Sequence, residues 1–486
     1  MNSNRWYDIR DKRTDSCNHV NDSYKNAVVH LVVTDDPRDY RVQLMVHFSL
    51  LMLARWCRNI VLYMEDAVCQ LPGKPGSFQG FIKREIEGAD PCCGLTFNAV
   101  QGEPTITLFV GVPRESWPGD YVSIGCSGWM ANVGFNRPCG APTNAEPESF
   151  FGAVFAACLG NAEMFRCVTG RPPRPYRKWY SLWTNQVYEV PVNDGYGPVV
   201  GTVDLGRVHV IGCGSIGSTF VYLVPYLKAG AEWLLVDPDK VEGHNTSSSL
   251  LFSQEDARAG VTKVDRCRKY LHNHDIPATG FEDDYKDYRY SHQEKGLGTA
   301  DIILCFANEN NIWGTIQHLY PPVCFHATTS KSWGVHIGRH IPLVENCLMC
   351  TFQDVLPVAF VPRCAEVQLP LGGPIVDCAK GVLVVQEPTP GSQESHTAIL
   401  PFLAPVAALM TLAELVKTLL PGGPARDNTT EFNLSTSQGA FISMYQSFGH
   451  CHICANQHEL YGRFGPLGKH WRMSLSPTEP RVHIIK

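Results

Sequence analysis

The stretch that most restricts how this chain can fold is RVHVIGCGSIGSTFVYLVPYLKAGAEWLLVDPDKV, running from Arg207 to Val241. Val208 to Ile211 spell a short buried strand, Gly212, Gly214 and Gly217 a tight turn, Ser215 to Leu227 a helix, and Trp233 to Val236 a second strand. That succession is a βαβ unit, which needs a parallel sheet to receive it. A further apolar run, DIILCF at Asp301 to Phe306, supplies another strand. The expected fold class is therefore α/β, a doubly wound and mainly parallel sheet of Rossmann type, whose ligands sit beyond the carboxyl ends of the strands.

Glycine at the first two motif positions lets the backbone turn sharply and approach a phosphate, while the free N–H groups and dipole of the following helix favour negative charge. The plainer alternative is a strand-to-helix turn packed for its own sake. Asp237 ends the second strand, where a dinucleotide fold commonly bonds ribose hydroxyls, so a nicotinamide dehydrogenase has to be weighed. The residues that follow argue against hydride transfer. Asp239, Asn245 and Lys263 lie in the polar runs DPDKVEGHNTSSSLLF and AGVTK at the mouth of the sheet. A lysine there neutralises a triphosphate and an asparagine orients it, and neither is needed by a hydride-transfer site.

At 486 residues the chain is long enough for two domains. Residues 1–200 are expected to form the first, residues 201–457 the second, and residues 458–486 a C-terminal extension. In the first, the text from Val42 to Val68 looks helical, ITLFVGV at Ile106 to Val112 is a short apolar run, and Gly152 to Val168 keeps small and apolar residues at helical spacing. RPPRPYR at Arg171 to Arg177 cannot continue a helix and leads toward a junction at Pro198 to Gly206.

A hydrophobic share of 44% with 18% charged residues describes a globular protein, and a formal charge of -6 supports neither a nucleic-acid nor a membrane partner. MNSNRWYDIRDKR is polar where a secretory signal is apolar. The greasiest stretches, Val42 to Leu53 and Leu400 to Leu420, are broken by His47, Pro401, Pro405, Glu414 and Lys417, so neither reads as a span. Nineteen cysteines without an export signal point to a reducing, cytoplasmic setting, where thiols bind metal, react or pack.

Two of the cysteine groups are pairs, Cys347-Leu-Met-Cys350 and Cys451-His-Ile-Cys454. Each such turn can present two thiolates to one side of a tetrahedral Zn2+, and two turns close a structural site. His450 or His452 could replace one thiolate, and coincidental core cysteines or a redox pair are the other readings. Between the pairs lie Cys364 and Cys378, either of which could take an acyl group as a thioester. His396, just before the next helix, is a candidate proton carrier.

Read in order, IGCGSIGS, VDPDKVEGHN, GVTK, CLMC, APVAALMTLAELVK and CHIC resemble the ubiquitin-activating enzyme superfamily, with its ThiF- and MoeB-like adenylyltransferases of thiamine and molybdopterin synthesis. The resemblance covers about residues 205–457. It implies ATP bound with Mg2+, phosphates held by Gly212, Gly214, Gly217, Asn245 and Lys263, the ribose by Asp237, and zinc by Cys347, Cys350, Cys451 and Cys454. It further implies attack by the C-terminal glycine of a ubiquitin-like protein, capture of the acyl group by Cys364 ahead of Cys378, and transfer to a conjugating enzyme. The first half then resembles an inactive adenylation-like domain that completes a pseudo-dimer within one chain, or a homodimer forms instead. This layout is similar to activating enzymes of bacterial ubiquitin-like antiviral operons.

Two departures stand out. Where that family writes an arginine-glutamine pair after the asparagine, this chain has Ser248 and Ser249, so a phosphate-binding charge has to come from elsewhere. Where it keeps a magnesium-binding aspartate, this chain has Asn308, followed by Glu309. The alternatives are accordingly an adenylyltransferase for a sulfur carrier with no enzyme thioester, and a degenerate module that binds a ubiquitin-like partner without turnover.

Overall fold

The computed structural model describes residues 3–73, 76–99, 102–113, 117, 119–140, 149–292, 300–307, 310–317, 321–351, 399–420, 427–436, 439–446, 454, 471–476 and 479–484. Two short helices, α1 (Ser3–Arg10) and α2 (Lys12–Asp15), precede a first sheet. Its strands are β1 (Val28–Val33), β2 (Asn59–Tyr63), β3 (Gly94–Phe97), β4 (Ile106–Val110), β5 (Tyr121–Ser127), β6 (Met130–Phe135), β7 (Tyr176–Ser181) and β8 (Gln186–Tyr188). Helices α3 (Tyr40–Leu53), α4 (Phe78–Ala89) and α5 (Phe150–Val168) connect them.

The second sheet is made of β9 (Val203–Ile211), β10 (Ala229–Val236), β11 (Ala278–Phe281), β12 (Ile302–Cys305), β13 (Cys324–Thr329), β14 (Gly334–His340), β15 (Thr429–Asn433) and β16 (Ala440–Met444). Its helices are α6 (Ser215–Leu223), α7 (Gln254–Ala259), α8 (Lys263–His272), α9 (Tyr285–His292), α10 (Asn310–Gln317), α11 (Leu348–Thr351) and α12 (Leu403–Leu419). A separate hairpin joins β17 (Trp471–Ser476) and β18 (Glu479–Ile484).

The strand orders are β3-β2-β1-β4-β5-β6-β7-β8 and β11-β10-β9-β12-β13-β14-β15-β16, one pattern laid down twice. In each sheet the first five strands in that order run parallel and the remaining pairings are antiparallel. Both sheets therefore have a switch point, between β1 and β4 and between β9 and β12, where a crevice opens past the strand ends.

Four apolar helices, α3, α5, α6 and α12, bring the halves together. Every residue of α3 from Val42 to Leu53 is buried, as is α12 throughout, and helices apolar on all sides must lie inside a fold. Among the described residues α5 is the helix long and apolar enough to cross a membrane, yet 94% of it is buried within the protein, which makes it the central core helix. Polar contacts stitch the seam: His47 Nε2 lies 2.9 Å from Tyr222 Oη, the Tyr222 hydroxyl donates to Glu85 over 3.0 Å, and Arg55 donates to the Leu250 carbonyl over 2.9 Å.

The structure revises several sequence expectations. Helical text does not run from Val42 to Val68, because α3 stops at Leu53 and Asn59–Tyr63 is β2; in an apolar run buried on every side, periodicity cannot separate helix from strand. The helix expected from Ser215 to Leu227 ends at Leu223 and passes into a 3-10 turn, Val224–Tyr226, because Pro225 has no N–H to continue it. β9 begins at Val203, inside the stretch read as a junction, and bends at Gly206 (φ +66).

Candidate functional site

The cavity lies where the second sheet reverses its order, past the ends of β9, β10 and β12, and has a volume of about 310 Å³. Its floor is the glycine turn. Gly212 has φ +87, and a Cβ there would come within 2.7 Å of the Ala307 nitrogen on the next strand's exit, so only glycine fits. A Cβ on Gly217 would run into the Gly212 carbonyl oxygen, which keeps α6 tight against the turn. Gly214 differs, since a Cβ there would meet no protein atom within 4 Å. It faces the cavity, and no side chain caps the α6 N-terminus that it opens, so the first N–H groups of that helix remain for a ligand.

Asp237 ties β10 to this turn. One carboxylate oxygen accepts the Cys213 N–H at 2.6 Å and the other the Asp239 N–H at 2.9 Å. Burial raises its pKa above the usual carboxylate value, opposed by Lys263 and by those two N–H donors. Thr262 starts α8 by accepting the Asp265 N–H, which sets Lys263 at the first helical position with its side chain in the cavity. Lys263 is 8% exposed, with Nζ 2.5 Å from Asp239 and 3.9 Å from Asp237. The ammonium is thus held between two carboxylates, one of which, Asp239, is well exposed at 64% and free to yield.

Asn245 sits in the 3-10 turn Gly243–Ser247, where its Oδ1 accepts the Glu242 N–H at 2.8 Å, and it lines the cavity. Ser248 and Ser249 are buried and paired with α6: Ser215 Oγ to Ser248 Oγ is 2.6 Å, and Ser218 Oγ to Ser249 Oγ is 2.7 Å. The structure therefore gathers Gly212, Gly214, Asp237, Asp239, Asn245 and Lys263 around one cavity, with Gly217 packed just behind. Asn308, Cys364, Cys378, His396 and Cys451, with His450 and His452, lie outside the described residues.

One cation was not identified from the sequence. Arg13, on α2, lines the cavity and donates through Nη1 to Ser215 Oγ at 3.3 Å. It makes no ion pair among the described residues, and its Nε is buried without a partner. Burial lowers its pKa from the arginine value, with Glu242 acting in the other direction. Its place is set by α1, which Arg10 anchors through Asp11 at 2.7 Å and Asp90 at 2.8 Å and which Trp6 secures to Asp90. Gly243 permits the approach, since a Cβ there would come within 2.5 Å of Ile9. Asp283, Asp284, Tyr285 and Ile312 also line the cavity; nothing local in the sequence marks them.

A second cluster lies apart from this cavity. The sulfurs of Cys347 and Cys350 are 3.8 Å apart, those of Cys350 and Cys454 are 3.6 Å apart, and all three lie within 4.8 Å of one another. Tetrahedral zinc with bonds of about 2.3 Å separates its sulfurs by about 3.8 Å, so the three thiols fit that metal.

Residues 202–453 match the ThiF family. The chain is 28% identical over 195 residues to the uncharacterized protein y4jF of Sinorhizobium fredii (strain NBRC 101917 / NGR234), covering 39% of this chain and 36% of that one, so it spans about a third of that relative's length. Among solved structures it is similar to E. coli MccB with succinimide, at 16% identity and a TM-score of 0.36 over 51% of this chain and 66% of that one, just under two thirds. It is similar also to E. coli MccB with ATP, at 17% identity, a TM-score of 0.36, and 51% and 66% coverage. The microcin C7 biosynthetic enzyme MccB in complex with N-formylated MccA matches at 19% identity, a TM-score of 0.36, and 51% and 67% coverage.

Proposed function

The chain belongs to the ThiF family, and from that premise we propose that it uses ATP to adenylate the C-terminal carboxylate of a protein or peptide. The observation that carries this reading is the meeting, in one cavity, of an uncapped helix N-terminus behind Gly214 with two cations, Lys263 and Arg13. Three sources of positive potential on one small volume suit a triphosphate, and Asp237 and Asp239 suit ribose hydroxyls. A carboxylate oxygen attacks the α-phosphorus, the bond to the β-phosphate breaks, and pyrophosphate leaves while Lys263 and Arg13 stabilise the charge that builds on it. Lys263 has first to exchange Asp239 for phosphate, which the exposure of Asp239 makes inexpensive.

The finer reading takes a ubiquitin-like protein with a C-terminal glycine as partner, Cys364 as the thiolate that displaces AMP from the acyl adenylate, and a conjugating enzyme as receiver. Asn308 is the residue proposed to help hold Mg2+, which would supply further charge neutralisation, and Cys347, Cys350, Cys451 and Cys454 hold a structural Zn2+. Residues 201–457 form the active adenylation domain and residues 1–200 its inactive counterpart, with residues 458–486 an extension.

Exchange of labelled pyrophosphate into ATP, assayed with the partner present, tests the first step. Exchange is expected in the wild type and a loss of about 100-fold or more in Lys263→Met, the scale of a removed electrostatic contact. The uncharged Ser248 favours one rival, a module that binds its partner without turnover, and absence of exchange under every divalent metal would establish it. For the second step, a reductant-sensitive thioester that survives Cys364→Ala would remove that cysteine from the scheme.

A further inference from the structure

At the wall of the cavity, Arg13, Ser215 and Ser248 form a run of hydrogen bonds whose hydrogens do not all find good acceptors among the described residues. Arg13 Nη1 lies 3.3 Å from Ser215 Oγ, and because a guanidinium can only donate, that oxygen is an acceptor. Ser215 Oγ and Ser248 Oγ are 2.6 Å apart, a short hydroxyl pair with room for one hydrogen between them. Ser248 is 1% exposed and has one other possible acceptor among the described residues, the Asn245 carbonyl at 3.5 Å, the outer limit of a hydrogen bond. Its hydrogen is therefore best placed on Ser215 Oγ. Ser215, the first residue of α6 and part of the cavity lining, then accepts twice, and its own hydrogen has no acceptor among the described residues.

The neighbouring pair shows the contrast. Ser249 Oγ accepts the N–H groups of Leu251 and Phe252 at 3.2 and 3.3 Å, which leaves its hydrogen for Ser218 Oγ at 2.7 Å. Ser218 in turn donates to the Gly214 carbonyl at 2.6 Å. Every hydrogen in that pair is accounted for within the fold. Of the two pairs, the Ser215 pair has the donor to spare, and Ser215 lines the cavity together with Arg13.

We propose that Ser215 donates its hydroxyl hydrogen to an anionic oxygen in the cavity, a phosphate oxygen of the nucleotide, and that Ser248 is a positioning residue that holds Ser215 in the donating state. This rests on the ATP reading above. Position 248 carries no charge, and its contribution is to fix which way a neighbouring hydrogen points. The hydroxyl adds a neutral donor to the Arg13 cation and to the N–H groups of the helix start, so the phosphate meets three kinds of donor on one side.

Calorimetric titration of the full chain with ATP, with inorganic pyrophosphate and with adenosine tests this. Ser215→Ala is expected to weaken ATP and pyrophosphate by about 10-fold, as one lost hydrogen bond to a charged group should, and to leave adenosine unchanged. Ser248→Ala alone is expected to cost about 3-fold or more for the two anions, and nothing further in a Ser215→Ala background, because it acts through Ser215. Ser248→Cys, which keeps the shape with a poorer donor, should move affinity the same way if the alanine variant folds badly. Ser249→Ala should lower the melting temperature and leave affinity alone. Wild-type affinity for both anions in Ser215→Ala, equal losses for adenosine, or an undiminished Ser248→Ala effect without Ser215 would each overturn the proposal. Pyrophosphate binding with the expected losses but no ATP binding would keep it and remove the ATP reading instead. Binding of neither by the wild type would end it.

Discussion

Gly214 and Gly217 lie three positions apart and answer to different constraints. A methyl at Gly217 collides with the Gly212 carbonyl, so Gly217→Ala should destabilise the fold by about 1–3 kcal/mol, the usual cost of overpacking. A methyl at Gly214 enters open cavity, so Gly214→Ala should leave stability within about 0.5 kcal/mol. It should instead weaken ATP by about 10-fold, the loss of one contact to a charged group. Urea midpoints and ATP titrations of the two variants check this crossed pattern, and a Gly214→Ala protein that binds ATP normally would detach the turn from the nucleotide. His47 makes a second residue-scale case. It is 1% exposed, its Nδ1 has no partner among the described residues, the rings of Phe48, Phe81 and Tyr222 pack against it, and burial pushes its pKa down to about 3. The folded value lies below the unfolded one, so the unfolded chain takes the proton first; the contribution is complete above about pH 6.5 and declines as pH falls from there toward 3. Between pH 7.5 and 5.5 the loss from this group is about 1.4 kcal/mol, and denaturation of His47→Phe at the two pH values should show an acid loss smaller by that amount. Gly212, Asp237 and Lys263 could be read from the sequence because one βαβ unit and the helix after it carry them all. Arg13 could not, because it reaches the cavity through the packing of α1 against Asp90 and Gly243, contacts that no local pattern encodes.

At the scale of elements, β9, α6 and β10 were legible because a buried strand, a glycine turn and a buried helix leading to a second strand leave few other ways to fold. α3 was legible as an apolar segment but not as to its end, since burial on every side erases the period. The cysteine turn after β14 was legible as text, and the structure brings Cys347 and Cys350 to Cys454, 104 positions away. Metal analysis of the full chain should find about one zinc per molecule, the capacity of one four-ligand site. Cys454→Ser should lose that zinc and lower the melting temperature by about 4 °C, several kcal/mol in a protein of this size. A metal-free wild type with an unchanged midpoint in Cys454→Ser would leave the three thiols as packing residues.

At the scale of the molecule, the duplicated sheet was expected through the family resemblance alone, and the residues of the first half do not spell it. The first half writes Thr34-Asp35-Asp36-Pro37-Arg38 after β1 where the second writes its glycines after β9, so nothing in the text shows that β1 and β9 hold equivalent places. The crevice beside that turn is about 790 Å³, but among the described residues no glycine lines it, and Asp39 caps the helix that follows by accepting the Arg41 N–H, so it lacks the open glycine turn and uncapped helix start of the second half. The halves also share one interior, with α3, α5, α6 and α12 in a single core cluster and Phe155 of the first half 5.6 Å from Phe432 of the second. Residues 1–200 and 201–457 expressed apart should each expose that interior and aggregate, and should recover solubility when produced together. Two soluble, separately melting fragments would show that each sheet carries a sufficient core.

The position of Arg13 has a consequence for how the site behaves on dilution. The guanidinium reaches the glycine turn from 202 positions upstream in the same polypeptide, so its effective concentration at the cavity is a property of the tether and the fold. Apparent nucleotide affinity should accordingly be the same at nanomolar and micromolar protein, and mixing wild-type chains with Arg13→Ala chains should yield a simple sum of two populations with no exchange of function between them.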